Sequence, residues 1–135
     1  MYRVVRRSAV ATALALALGA AGLITAASPA SAGAKTCPLA LTQAKEANDD
    51  ALLFDRQSMF DKAERENEHA LLSLADASAF CEGVLTGDAY KAIGEAQNSE
   101  ELAWKANGDS NLLQVMATED AARGSIQTAL NAVTA

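Results

Sequence analysis

The feature that most constrains this chain is the dominance of strong helix formers from residue 33 to residue 135. Ala, Glu, Leu, Lys and Gln make up most of this segment, and these residues lose little conformational freedom in a helix. It contains no alternating run of β-branched residues that would form a strand. Turn formers interrupt it near Ser58, at Gly83–Gly87 and near Gly108. The pattern predicts an all-α fold, a small bundle of about four helices in two antiparallel hairpins. The predicted helices are 38–56, 59–82, 88–106 and 110–133.

The residues at heptad spacing in these helices are mostly alanine, as at Ala47 and Ala51 on the predicted seam of the first helix, which also includes Phe54. Small seam residues let helices approach closely, but they bury little apolar area, at ~25 cal/mol per Å². Two polar residues also fall on predicted seams. Asn67 is a candidate buried residue that sets helix register. Glu119 is predicted either to pair with Lys or Arg or to mark a face that is not buried.

The two cysteines predict a cross-link between the first two helices. Cys37 begins the first predicted helix and Cys81 ends the second, and their midpoint, residue 59, lies at the predicted turn. Residues equidistant from the turn of an antiparallel hairpin face each other. The even pair therefore predicts a disulfide that staples the open end of the hairpin. The alternative is two free thiols for metal or redox chemistry, but the chain has no CxxC motif.

The segment 44–74 resembles one tetratricopeptide repeat. The matching positions are Ala51, Phe54, Ser58, Phe60, Ala63 and Ala70. Asp50 stands where that family has a large apolar residue, and Ala75 where it has proline. The resemblance implies a tight helical hairpin. No second copy is found along the chain, and repeat arrays need about three units to bury a continuous core.

Residues 1–32 read as a cleaved signal peptide. A basic start that includes Arg6-Arg7 precedes an apolar stretch over 9–25, and Ala30–Ala32 supplies small residues for cleavage. Cleavage after Ala34 and an uncleaved anchor are the alternatives. The general secretory route is favoured over the twin-arginine route because strong hydrophobic residues do not follow the arginine pair. The sequence thus predicts a secreted, extracellular protein with one helical domain over 33–135.

The charge balance narrows the predicted partners. The whole chain has a formal net charge of −6, and without the three arginines of the signal 17 acidic residues face 8 basic ones, a net charge of −9. Such a chain is not expected to bind nucleic acid, whose phosphates require a basic face. Nor is it expected to bind an anionic membrane after cleavage. A protein partner of unknown identity remains open, with a monomer or small oligomer expected.

Few side chains are typical of metal or cofactor chemistry. His69 is the only histidine, and Glu66-x-x-His69 has the spacing found in di-iron bundles. Those sites need two such motifs and two further glutamates, so the default prediction is a solvated helix face with no metal and no cofactor. Carboxylates also gather around the first turn, from Asp49 to Glu64 and including Asp55. They predict a solvated acidic end, or alternatively a weak divalent-cation site or a docking face for a basic partner.

The large side chains of the second half offer one more candidate site. Tyr90 and Trp104, with Leu113 and Met116, either fill the core or line a groove between the hairpins. No catalytic motif is present. The leading prediction is a secreted, non-catalytic interaction protein. The alternative is a helical-bundle carrier of a metal, haem or small apolar ligand, and an extracellular enzyme without a recognisable motif ranks third.

Overall fold

The computed structural model describes residues 36–134, which form four helices and no named strand. The helices are α1 (Cys37–Arg56), α2 (Phe60–Phe80), α3 (Gly87–Gly108) and α4 (Leu112–Thr134). The predicted all-α bundle of two hairpins is therefore confirmed. None of these four helices is both long enough and apolar enough to cross a membrane. The predicted signal peptide lies outside the described residues and stays a prediction.

The four helices form a ring in which each packs against two neighbours. α1 lies against α2 and α4, and α3 lies against the same two helices. Because the chain reverses at every connection, the α1–α2 and α3–α4 turns share one end of the bundle, called here the turn end. The α2–α3 connection lies at the opposite end, beside the start of α1.

The predicted disulfide is confirmed. Cys37 and Cys81 are bonded, with their Cα atoms 4.7 Å apart, and the bond joins the start of α1 to the residue after α2. Both cysteines are buried, in an apolar cluster that includes Leu41, Leu74 and Ile126. The cross-link therefore closes the first hairpin at the end where its helices would otherwise separate.

The second hairpin repeats the buried pattern of the first at a distance of 52 residues. In α2 the buried positions are 63, 67, 70, 74 and 77, and in α4 they are 115, 119, 122, 126 and 129. Equivalent residues of diagonally opposite helices meet at the bundle axis. Asn67 bonds Glu119, and Asn107 bonds Asp55, each partner being 52 residues away. The two hairpins are thus related by an approximate two-fold axis along the bundle.

The two turns at the turn end have the same backbone geometry. The amide of Met59 donates to the carbonyl of Phe54 at 2.9 Å, and the amide of Ser58 donates to that of Asp55 at 2.8 Å. Residues 52 positions later make the equivalent bonds, from Asn111 to Ala106 and from Ser110 to Asn107. This paired arrangement is a Schellman motif, which satisfies the last carbonyls of a helix. It ends α1 and α3 one residue after the buried Asp55 and Asn107.

Glycine at the end of either motif should stabilise the bundle. Ser58 has φ 57° and Ser110 has φ 53°, a left-handed conformation that disfavours residues with a Cβ. We expect Ser58→Gly to raise the free energy of unfolding by about 0.5–1 kcal/mol, as measured by urea denaturation. The control is Ser73→Gly in the interior of α2, which should lower stability by about 0.5 kcal/mol. A loss of stability in both variants would contradict the strain at Ser58.

Candidate functional site, a buried cluster of carboxyls and amides

Six polar side chains lie in the core of the bundle, each at most 2% exposed. They are Asn48 and Asp55 on α1, Asn67 on α2, Glu100 and Asn107 on α3, and Glu119 on α4. We call this set the core cluster. Its members are related in pairs by the 52-residue repeat, and each pair joins one amide to one acid. An amide can donate a hydrogen bond to a carboxyl. Two hairpins of identical sequence would instead place two amides, or two carboxyls, at the equivalent positions.

Asn67 stands at the centre of the core cluster. Its Nδ2 donates to Glu100 Oε2 at 3.0 Å and to Glu119 Oε1 at 2.9 Å. Its Oδ1 accepts from Asn107 Nδ2 at 2.7 Å. One side chain of α2 therefore links α3 and α4 across the bundle axis.

The remaining contacts bring α1 into the core cluster. Asn107 Nδ2 also reaches Asp55 Oδ2 at 3.4 Å, and Asn48 Nδ2 donates to the backbone carbonyl of Glu119 at 3.2 Å. The carboxyls of Asp55 and Glu119 lie within hydrogen-bonding reach of each other. All four helices thus meet through polar side chains, over about two helical turns of the bundle.

The three carboxyls of the core cluster have no cationic partner among residues 36–134. None of the ion pairs found in that part of the chain includes Asp55, Glu100 or Glu119. Burial raises the pKa of Glu100 to about 8, against a partial opposing effect of the bond from Asn67. Burial, with the neighbouring carboxyl of Asp55 adding to it, raises the pKa of Glu119 to about 9. Burial also raises the pKa of Asp55.

Five oxygen atoms of the core cluster have no hydrogen-bond partner within the described chain. They are Asn48 Oδ1, Asp55 Oδ1, Glu100 Oε1, Asn107 Oδ1 and Glu119 Oε2. Buried polar groups of folded proteins are nearly always bonded, so each unpartnered oxygen needs a donor or a cation. The core cluster therefore has fewer hydrogen-bond donors than acceptors.

Two cationic side chains, Lys45 on α1 and Arg123 on α4, are bonded to another carboxylate, that of the half-buried Asp49. Arg123, one turn beyond Glu119 on α4, donates to Asp49 Oδ1 from Nε at 3.0 Å and from Nη2 at 2.8 Å. Lys45 donates to Asp49 Oδ2 at 2.7 Å. Burial favours a raised pKa for Asp49, but the bonds from Lys45 and Arg123 outweigh it and the pKa is lowered. The ion-paired Asp49 and the core cluster therefore have opposite electrostatic character.

The structure corrects two predictions about acidic residues. Glu119 is fully buried and bonds Asn67, so it neither pairs with Lys or Arg nor marks an exposed face. Asp55, expected at a solvated acidic end, is fully buried as well. The reason in both cases is that the buried amides supply the partners that water or a cation would otherwise provide. The predicted burial of Asn67 is confirmed.

Asn48 and Asp55 were missed because the buried face of α1 ends at Asp55 and not at the predicted Phe54. The buried residues of α1 include Asn48, Leu52 and Asp55, whereas a seam drawn through Phe54 leaves these out. Phe54 is only half-buried, and Lys62 Nζ lies 5.5 Å from the centre of its ring. The sequence signal that identifies all six residues is the 52-residue repeat. In this repeat Asn48 is equivalent to Glu100, and Asp55 is equivalent to Asn107.

The candidate metal residues lie on the outer face of α2. His69 Nδ1 is 3.1 Å from Glu66 Oε2, and the histidine side chain is 62% exposed. Over residues 36–134, no group of three or more His, Cys, Asp or Glu side chains is placed to hold a metal ion.

The four candidate groove residues are spread over two helices. On α3, Tyr90 donates its hydroxyl to the carbonyl of Ser78 at 2.9 Å, and Trp104 donates Nε1 to Glu68 at 3.1 Å. With a rise of 1.5 Å per residue, Tyr90 and Trp104 are about 21 Å apart along that helix. On α4, Leu113 is 87% exposed, and Met116 is half-buried. The structure thus separates Tyr90 from Trp104, and a groove near either one stays a prediction.

The chain matches no family model, no curated protein and no solved structure. The carboxyls of the core cluster are sealed from solvent.

Proposed function

We propose that this chain is a secreted, non-catalytic binding protein that contacts a protein partner at the turn end of its bundle. The observation that carries the proposal is the exposure of large apolar side chains there, above all of Leu113, which is more exposed than any other large hydrophobic residue of 36–134. Leu113 is 87% exposed, Leu53 is 50% exposed and Met59 is 41% exposed. All three lie within about two helical turns of that end. Exposed apolar groups gathered in one region are typical of interaction sites.

The internal repeat supplies a comparison for these leucines. The position equivalent to Leu113 in the first hairpin is Asp61, and the position equivalent to Leu53 in the second is Lys105. Asp61 and Lys105 are exposed as well. The fold therefore accepts a charged residue at either place, and packing does not explain the leucines. Binding of an apolar surface of a partner does.

The non-catalytic part of the proposal is supported by where the titratable groups lie. Three of the four carboxyls with raised pKa values, Asp55, Glu100 and Glu119, are sealed in the core, where no substrate reaches them, and the fourth, Asp76, is exposed on α2. Export is supported by the disulfide, which is typical of oxidising compartments. We propose the general secretory route, with cleavage after Ala32 and release of the helical part.

A photo-crosslinking experiment tests the binding surface. A benzophenone amino acid at position 113 should give a single crosslinked product when the protein is exported into its native medium. The same group at position 61, the equivalent exposed site, should not. Leu113→Asp combined with Leu53→Lys should abolish binding of the isolated partner while changing the free energy of unfolding by no more than about 0.5 kcal/mol. Equal crosslinking from both positions, or binding that survives the double substitution, would contradict the proposal.

A second candidate function, carriage of a small cation, would use the five unpartnered oxygens of the core cluster, although as they stand its carboxyls form no group placed to hold a metal ion among residues 36–134. Oxygen ligands suit hard cations such as Ca²⁺ or Mg²⁺. The amide nitrogen of Asn67 now faces both glutamates, so the side chain would have to turn its oxygen inward. Elemental analysis of the untagged protein from its own medium tests this: stoichiometric metal lost in Glu100→Gln supports carriage, and metal-free protein refutes it.

A further inference from the structure

We propose that the folded bundle holds two protons that the unfolded chain lacks, one on Glu100 and one on the Asp55–Glu119 pair, so that the bundle loosens as its surroundings become alkaline. This role of the core cluster is independent of any partner at the turn end.

The core cluster has too few hydrogen-bond donors for its oxygens. The amides of Asn48, Asn67 and Asn107 supply six N–H groups to the core cluster, and five of these bond an oxygen, which leaves one N–H, on Asn48. Five oxygens remain unpartnered. A proton on one of them turns an acceptor into a donor, which can then bond a second oxygen. Two protons therefore satisfy up to four of the five, without any movement of Asn67.

The contact between Asp55 and Glu119 gives a second reason for a bound proton. Two ionised carboxylates repel each other, whereas two carboxyls that share one proton are joined by a hydrogen bond. These two lie within bonding reach on α1 and α4. Glu100, on α3, faces the amide of Asn67 and has an unpartnered Oε1. The geometry thus assigns one proton to each site.

The charged groups around the core cluster do not replace those protons. On the α1–α4 side, Lys45 and Arg123 are bonded to Asp49. On α2 the inward residue is the neutral Asn67, and its outer neighbours are acidic. Glu68 accepts from Trp104, and Glu64, one turn before it, is half-buried. On α3, Lys105 bonds the exposed Glu101. None of these cationic groups forms an ion pair with a carboxyl of the core cluster.

The direction of the pH dependence follows from proton linkage. The pKa of a glutamate is 4.5 as its ordinary value, and in the fold it rises to about 8 for Glu100 and to about 9 for Glu119. The stabilisation from each proton is fully present below the ordinary pKa. It is lost as the pH rises from that value through the folded one. Stability should therefore fall between about pH 5 and about pH 9, which is opposite to the behaviour of salt-bridged carboxylates.

The test is urea unfolding of the disulfide-bonded protein at several pH values, followed by far-ultraviolet circular dichroism. The unfolding equilibrium constant should rise by up to about tenfold per pH unit for each bound proton, or about a hundredfold for two. Glu100→Gln with Glu119→Gln should remove most of this dependence, because glutamine keeps the shape without ionising. The matched control, Glu46→Gln with Glu82→Gln on exposed sites, should retain it.

A direct proton count keeps the test independent of the variants. Unfolding of the natural chain at about pH 7 in weakly buffered solution should release about two protons. Release of none, or an unfolding constant that is unchanged between about pH 5 and about pH 8, would overturn the proposal. It would also be overturned if the pH dependence appeared only after a chelator was added, since a cation and not protons would then neutralise the core cluster.

Discussion

Replacement of Asn67 by aspartate should lower the free energy of unfolding by about 3 kcal/mol or more near pH 7. The substitution keeps the shape of the side chain. It removes the amide that donates to Glu100 at 3.0 Å and to Glu119 at 2.9 Å, and it adds a fourth carboxyl to a core with no cation. Buried groups left without a donor cost more than the bond itself contributes.

The measurement is urea denaturation, with Asn98→Asp as the matched control. Asn98 is exposed on α3, so the same chemical change there should alter stability by no more than about 0.5 kcal/mol. The loss in Asn67→Asp should shrink at about pH 5, where the added carboxyl is more easily protonated. Equal, small effects in both variants would show that the central amide does not hold the core cluster together.

Loss of the disulfide should have an effect of similar size. Cys37 and Cys81 are 44 residues apart, and closing a loop of that length stabilises a fold by about 4 kcal/mol in the chain-entropy account. The core offers little to compensate, since most of its buried apolar residues are alanines. The double substitution Cys37→Ser with Cys81→Ser should therefore leave a protein that unfolds at much lower urea concentration.

The disulfide can also be removed without a substitution, and the second hairpin offers a comparison. Reduction of the natural chain should reproduce the loss, and reoxidation should reverse it. The second hairpin has Ala89 and Val133 at the equivalent positions, so it has no cross-link of its own. A loss below about 1 kcal/mol on removing the bond would show that the first hairpin is held by packing alone.

The sequence predicts the helices and the first hairpin because local chemistry determines them. Helix formers, turn residues and the position of Cys37 and Cys81 about a common midpoint each act within one element or one hairpin. The core cluster depends instead on which faces meet across the bundle axis. A shift of one residue on α1, from Phe54 to Asp55, changes which side chains are buried. The seam was predicted at Phe54 because that residue is aromatic, but Phe54 is only half-buried and Asp55 is the buried residue.

The 52-residue repeat is hard to recognise in the sequence for a related reason. The buried positions at which the two hairpins have the same residue are chiefly alanines, such as Ala70 and Ala122, and any two alanine-rich helices share alanines. The polar positions that are diagnostic carry different residues in the two copies, as with Asn67 and Glu119. The amide and carboxyl groups that bond the two hairpins to each other therefore make the sequences of the hairpins look different.

The most direct test of a neutral, proton-bearing core is a titration of the glutamate side-chain carboxyl carbons by nuclear magnetic resonance. Assigned signals of Glu100 and Glu119 in the natural chain should titrate with pKa values of about 8 and about 9. Titration of Glu100 and Glu119 at the ordinary glutamate pKa of 4.5 would contradict the account.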